Sequence, residues 1–299
     1  MDSAAQSERC PICQEPSSAA YVCVPGRRAG KNQMFQYLQC GSCGTVFLSF
    51  TTPQPADIYS ETYFKTSAAL RFFENVWTAF NFWLRWWRMP RVARGSRVLD
   101  IGCGTGTWLR FLQRRGLQIE GLDASPEAVK AAAKNGVFNV TQGTLNHGVM
   151  PINTFDVITV IHCLEHDPDP GTFVGNAMTL LKPGGWLGIA IPNISSWEAT
   201  RAAGNWFHLD PPFHLCLPSG DAMRPLLERA GLTHIRVGCP VFEYCQSLMY
   251  AMFKTTRIKP WLLILMLPWA VIWNGILGAR KKAGVIEYWA QKPSSLERA

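Results

Sequence analysis

The sequence predicts an α/β protein, a parallel sheet with helices on both faces, and three observations predict it. The apolar run Val98-Leu99-Asp100-Ile101 leads into Gly102-Cys-Gly-Thr-Gly106 and then into a helical pattern. A second apolar run, Leu117 to Leu122, follows Gly116 and ends at Asp123. Runs of this length and composition are strands buried on both faces, which is the habit of parallel sheets. The composition, 47% hydrophobic and 17% charged over 299 residues, excludes a disordered chain. Gly 25 and Pro 20 are scattered, which excludes collagen-like and low-complexity readings.

From the N-terminus, Met1 to Cys10 is polar and carries Asp2, Glu8 and Arg9. It has no charged-then-apolar leader, so a cytoplasmic protein is expected. Ten cysteines in such a compartment are not expected to form disulfides. Four fall into two pairs, Cys10-Pro-Ile-Cys13 and Cys40-Gly-Ser-Cys43, separated by 26 residues. A tight turn aims both thiolates of such a pair at one metal, and two pairs close a tetrahedral sulfur site that suits structural zinc. The intervening chain has room for a hairpin, Ala20 to Val24 and Met34 to Leu38, turning at Pro25-Gly26. A degenerate knuckle without metal is the alternative; redox chemistry fits two matched pairs less well. Cys23, Cys103, Cys163, Cys216, Cys239 and Cys245 lack this spacing and are expected to be small buried hydrophobes.

In the βαβ unit the helix is expected over Thr107 to Arg115, with Trp108, Leu109, Phe111 and Leu112 apolar and Gly116 as its C-terminal stop. Glycines let the backbone approach a ligand and adopt conformations a Cβ forbids. The helix start offers unpaired N–H groups, and an acid about 20 residues on can hold ribose hydroxyls. A glycine loop alone suits a dinucleotide equally well. This one reads GxGxG after Leu-Asp-Ile, and here the chain resembles the class I S-adenosylmethionine (SAM) dependent methyltransferases. The resemblance continues through Gly121-Leu-Asp-Ala-Ser125, Phe155 to Ile161, Cys163-Leu-Glu-His166, Leu181-Lys-Pro-Gly-Gly185 and Pro192-Asn193. It implies a Rossmann-like sheet of seven strands, with strand five at Trp186–Ile191, strand six at His234–Gly238 and strand seven at Val285–Gln291. It also implies that Gly102, Gly104 and Gly106 line the methionine end of SAM, that Asp100 orients the loop or the ammonium, and that Asp123 holds the ribose. A purely structural role is the alternative for Asp100. Gln142-Gly-Thr-Leu145 supplies no acid for the adenine.

Ligands of open α/β sheets bind past the carboxyl ends of strands. His162, Glu165 and His166 follow strand four. His166 is the first choice for a base or substrate contact, Glu165 for a divalent ion or a helix cap, and His162 for the core. A second cluster, Asn205 to Leu215, carries His208, Asp210 and His214 in a Pro-broken aromatic loop that suits a substrate cover. His214 is the choice there, against a loop that is merely packed.

Between strands six and seven, 46 residues intervene where the family has a short connection. Pro260 to Ala279 is twenty uncharged residues, flanked by Arg257 and Lys259 and by Arg280, Lys281 and Lys282. Strands of one sheet at both ends argue against a single crossing. The expectation is a membrane-dipping helical hairpin bent at Pro268, with Val241 to Phe253 adding an amphipathic helix. A buried or homodimer-interface segment and a true span are the alternatives. Ser67 to Arg88 reads as an aromatic helix, with Phe73, Trp77 and Phe80 on one face, near Trp83 and Trp87. Its Trp and Arg density also suits an interfacial belt, and it is expected to roof the acceptor site.

The layout is a zinc ribbon over 1–52, a helical lid over 53–94, a SAM-binding core over 95–238, an apolar insert over 239–284, and a last strand and tail over 285–299. The net charge of +8 suits an anionic partner. The function expected is methyl transfer to a small molecule, lipid-like or lipid-linked, of the quinone or sugar type. The enzyme is expected in the cytoplasm or on the cytoplasmic face of a membrane. An RNA methyltransferase is a second reading, disfavoured because no basic run with interleaved aromatics tracks a nucleic-acid groove, Arg71 to Arg94 apart. A SAM-binding scaffold is a third.

Overall fold

The computed structural model describes residues 8–16, 18–26, 33–49, 71–145, 149–240, 243–253, 258 and 260–294. The expected hairpin forms and is longer than its apolar runs: β1 (Ser18–Pro25) pairs antiparallel with β2 (Met34–Cys40), and β2 with β3 (Val46–Leu48). Helix α1 (Arg71–Arg88) precedes the βαβ unit of β4 (Arg97–Ile101), α2 (Thr107–Gln113) and β5 (Gln118–Asp123). α2 stops two residues short of the expected Arg115, where the chain turns through Gly116 at φ +84°. α3 (Pro126–Lys134) is capped by Ser125, whose hydroxyl accepts from the Ala128 N–H, with proline in the first turn. Then come β6 (Val140–Gln142), β7 (Phe155–Ile161), α4 (Pro170–Leu180) and β8 (Leu181–Pro192). The second half runs α5 (Trp197–Ala202), β9 (Cys216–Leu217), α6 (Gly220–Arg229), β10 (Thr233–Gly238), α7 (Cys245–Phe253), α8 (Pro260–Ala279) and β11 (Val285–Gln291).

Seven strands form one sheet in the order β10-β11-β8-β7-β4-β5-β6, as the resemblance implies. β11 runs antiparallel to both neighbours, and the pairs from β8 to β6 are parallel. The chain leaves β4 toward β6, then returns on the other side of β4 as β7. That reversal opens a crevice at the carboxyl ends of β4 and β7, where such sheets bind ligands. Val98, Leu99, Val157, Ile158 and Val160 are fully buried, as strands covered on both faces require.

The N-terminal strands share a sheet with the second half of the chain: β9 pairs with β3, giving the order β1-β2-β3-β9. Tyr37 Oη donates to the His214 carbonyl at 2.8 Å, and Arg229 Nη2 to the Ile12 carbonyl at 2.8 Å. Of the unpaired cysteines, Cys103, Cys216 and Cys239 are buried and Cys163 partly so, but Cys23 is exposed. β1 is an edge strand, so alternate side chains face solvent.

The insert differs from its expectation. α8 continues through Pro268, which is exposed, as one helix from Pro260 to Ala279, so the chain does not turn back there. α7 begins at Cys245 and packs against α8; residues 241–242, 254–257 and 259, with Arg257 and Lys259 among them, lie outside the described residues. Among the described residues, no helix is long and apolar enough to cross a membrane.

Candidate functional site

The loop after β4 places Gly102, Gly104 and Gly106 at φ +71°, +52° and +70°, the left-handed region that glycine alone enters cheaply. A Cβ on Gly102 would stand 2.5 Å from Cys163 Sγ, in the turn after β7. The two strand ends therefore touch through a missing side chain. At Gly104 a Cβ would meet nothing within 4 Å, so the backbone there faces open space. Asp123 holds this loop: Oδ2 accepts from the Gly104 N–H at 2.8 Å and Oδ1 from the Ser125 N–H at 2.9 Å. Asp100 pairs with Thr159 across the β4–β7 register, and its Oδ1 accepts from Thr159 Oγ1 at 2.6 Å. Burial pushes the Asp100 carboxyl up to about 7, against the pull of Thr159 and Arg85.

After β7, a 3₁₀ turn over Leu164–His166 buries Glu165 completely. The expected cap role goes elsewhere, since Asp169 caps α4 by accepting from the Thr172 N–H. His166 Nδ1 lies 2.7 Å from the Phe213 carbonyl, and His214 Nδ1 2.7 Å from the His208 carbonyl. The two imidazole centroids are 4.9 Å apart. Glu165, His166 and His214 each bring one ligand atom to within 4.8 Å of the others. The three residues singled out for chemistry, 49 positions apart in sequence at the extremes, thus form one cluster. His208 and Asp210 are buried in the same loop, with Trp206.

Sequence reasoning missed the polar layer over this cluster. Arg85 is buried, and it donates to Glu243 at 2.7 Å and to Glu287 at 2.8 Å; Arg88 also reaches Glu287, at 3.1 Å. The expected interfacial belt is therefore not what these arginines make. α1 packs Phe82 on Trp108 and Phe111 and exposes Phe80, Trp83 and Trp87, while the side chains of Phe73 and Trp77 lie outside the described residues. His162 does not enter the apolar core. It stands between Glu165, 3.4 Å away, and Glu243, 3.2 Å away. Burial works against its proton, but the two carboxylates prevail and raise it to about 9. Glu165 is lowered to about 2 because His162, His166 and His214 outweigh its burial. Tyr244, from the insert, lies edge-on to His162 and His208, both at 5.1 Å, with Phe207 at 5.9 Å.

The family model described as a methyltransferase domain matches residues 79–237, more than half of the chain. The chain belongs to the class I SAM-dependent methyltransferases. Relatives of this methyltransferase include a ubiquinone biosynthesis O-methyltransferase of Psychrobacter cryohalolentis, 37% identical over 99 residues, which are 30% of this chain and 38% of that one. Another, of Xanthomonas oryzae pv. oryzae, is 36% identical over 107 residues, 33% of this chain and 44% of that one. The methyltransferase thus matches less than half the length of these relatives. Its fold is shared with a SAM-dependent methyltransferase from Archaeoglobus fulgidus, with TM-score 0.52 and 22% identity over 76% of this chain and all of that one. It is also shared with geranyl diphosphate C-methyltransferase from Streptomyces coelicolor, with TM-score 0.53 and 11% identity over 72% and 79% of the two chains.

The methyltransferase loop fits SAM. Gly104 offers bare backbone to open space, Asp123 anchors its N–H, and Asp100 lies just before the loop at the end of β4. The four cysteines also come together, with Cys10 Sγ 3.6 Å from Cys43 Sγ and Cys13 Sγ 3.5 Å from Cys40 Sγ. Four thiolates at about 2.3 Å from one zinc would lie roughly 3.8 Å apart, and all four sulfurs here lie within 4.8 Å of one another, so the set is of a size that fits zinc. Cys40→Ser is expected to lose the metal and to melt the β1-β2-β3-β9 sheet first. Metal analysis with hydrogen exchange checks this, and unchanged metal content would refute it.

Proposed function

We propose that this methyltransferase moves the methyl group of SAM to a hydroxyl oxygen on a small aromatic acceptor of the quinone type, with a lipid-like tail. The observation that carries the proposal is the Glu165, His166 and His214 cluster, placed beside the glycine loop where Gly102 meets Cys163. The names of the relatives support the acceptor class. Phe207, His208 and Tyr244 line one side with rings, which suits a flat acceptor.

Bound SAM supplies an activated methyl group on a sulfonium. The residues must align the acceptor oxygen, exclude water and take its proton. A carbonyl only accepts, so the bond to Phe213 puts the His166 proton on Nδ1 and leaves the Nε2 lone pair to receive the acceptor proton. Ionised Glu165 stabilises the imidazolium that results. Burial and the neighbouring His166 hold His214 down to about 3, so it stays neutral and accepts a hydrogen bond from the acceptor. Gly102, Gly104, Gly106, Asp100 and Asp123 hold the cofactor, and the Cys10, Cys13, Cys40 and Cys43 site holds structural zinc. One carboxylate and two imidazoles within 4.8 Å also suit a divalent cation with open positions, which would grip the acceptor oxygens directly. Residues 260–279 make peripheral contact with a membrane.

The test is label transfer from methyl-labelled SAM to a catechol with an alkyl tail, to the matching aromatic amine and to RNA. Label on the catechol oxygen is expected. Label confined to the amine or to RNA would defeat the reading. Loss of transfer on chelation, restored by a divalent ion, would select the cation over the histidine base.

A further inference from the structure

We infer that the corner where α8 meets β11 is a docking site for an anionic phospholipid surface, with a pocket that takes the phosphate headgroup. α8 exposes Leu265, Trp269, Ile272 and Ile276, the first and third at 70% and 67%. Their spacing of four, three and four residues makes one continuous helix face. The opposite face is spoken for, since Ala270 and Leu277 are buried and Met266 and Trp273 pack against the core. A globular interior does not need the exposed stripe, and a row of large apolar side chains in water marks an interaction surface.

Four residues beyond Ile276 the same face reaches Arg280, and Arg280, Lys281 and Lys282 are all exposed. These three, with Arg224 of α6, line a cavity of about 380 Å³ against the single carboxylate of Asp221. Asn193 and Ser195 complete its polar rim. An apolar stripe that ends in a cationic pocket matches an anionic bilayer in both parts: acyl chains for the stripe, phosphate for the pocket. Trp269 sits at the flank of the stripe, where an amphipathic ring is favoured at the headgroup level. A second copy of this chain fits less well, because it brings the same excess of positive charge.

The topology places this surface at the active edge. β11 begins at Val285 opposite Pro192, the carboxyl end of β8. β10 and β11 are antiparallel neighbours, so the insert leaves and returns at the edge that carries the glycine loop and Glu165. A bilayer docked on α8 therefore lies on the side from which the acceptor enters. The docking rests on the membrane contact proposed above for residues 260–279 and adds its lipid class and headgroup pocket; it stands without the acceptor assignment, because vesicle binding requires no turnover.

Flotation of the full chain with phosphatidylglycerol-containing vesicles and with pure phosphatidylcholine vesicles tests the proposal. Binding to the anionic vesicles should exceed that to neutral ones about tenfold or more at low salt and fall as salt rises. Leu265→Ser/Ile272→Ser and Arg280→Gln/Lys281→Gln should each lower it about tenfold or more, with SAM affinity and melting temperature unchanged because the positions are exposed. Equal binding to both vesicles, or binding that survives either double substitution, would overturn the proposal. So would a wild-type dimer that ignores vesicles and that Leu265→Ser/Ile272→Ser splits.

Discussion

Arg85→Met is expected to cost about 3–5 kcal/mol of stability at pH 7, the usual result of removing one partner from a buried ion cluster. It would leave Glu287 buried with Arg88 and the Trp289 N–H, and Glu243 with His162. Burial alone would raise both carboxyls, but Arg85 leads the groups that hold Glu243 and Glu287 below the ordinary glutamate value. A depressed carboxylate contributes stability that is present above its unfolded value near 4.5 and lost as pH falls through the folded one. The deficit of the variant should therefore be largest at neutral pH and shrink below about pH 4.5, where the orphaned carboxyls take protons. His162 acts in the opposite sense. Its raised value adds stability that is full below 6.5 and lost as pH rises through about 9. Urea denaturation at pH 4, 7 and 9 checks both signs, and a deficit that is flat with pH would contradict the network.

Gly102→Ala is expected to combine a fold defect with loss of SAM binding. The position is left-handed, which costs an L side chain roughly 1–2 kcal/mol. The new Cβ would also stand 2.5 Å from Cys163 Sγ and 2.7 Å from Cys163 Cβ, so the loop or the turn after β7 must move. Overpacking of this kind adds about 1–3 kcal/mol. The shift falls on the atoms that frame the cofactor, so SAM affinity should drop more than tenfold, about 1.4 kcal/mol or more. Cys163→Ala in the same chain removes the sulfur contact but keeps the Cβ, and should rescue part of the loss. Calorimetry reads the affinity. Gly104→Ala gives a contrast, since its Cβ meets no protein atom within 4 Å and only its backbone angle is strained.

The parts of the fold legible in the sequence are those written in local pattern. Val285–Gln291 and Phe155–Ile161 are strands over the expected residues, because an apolar run bounded by turn residues specifies a buried strand by itself. Glu165 and His166 stand out as candidates because they follow the end of β7, and His214 because it lies in a Pro-broken aromatic loop. What was not legible depends on distant pairing. Arg85 meets Glu243 and Glu287 across 158 and 202 residues, and among tryptophans it reads as a surface anchor. β9 is two residues long and exists only because β3 needs a partner. Pro268 reads as a breaker, but an exposed helix face tolerates it because solvent serves the carbonyl it leaves unbonded.

The proposed role of the histidine and glutamate cluster beside the glycine loop is to activate an acceptor hydroxyl for methylation. Its most direct test is the pH profile of label transfer from SAM to an alkylated catechol by the wild type and by His166→Asn, with SAM affinity measured in parallel. His166→Asn should lower kcat by about 10²–10⁴-fold and change its dependence on pH, with little change in SAM affinity. Wild-type rate and an unchanged profile in His166→Asn would contradict that role.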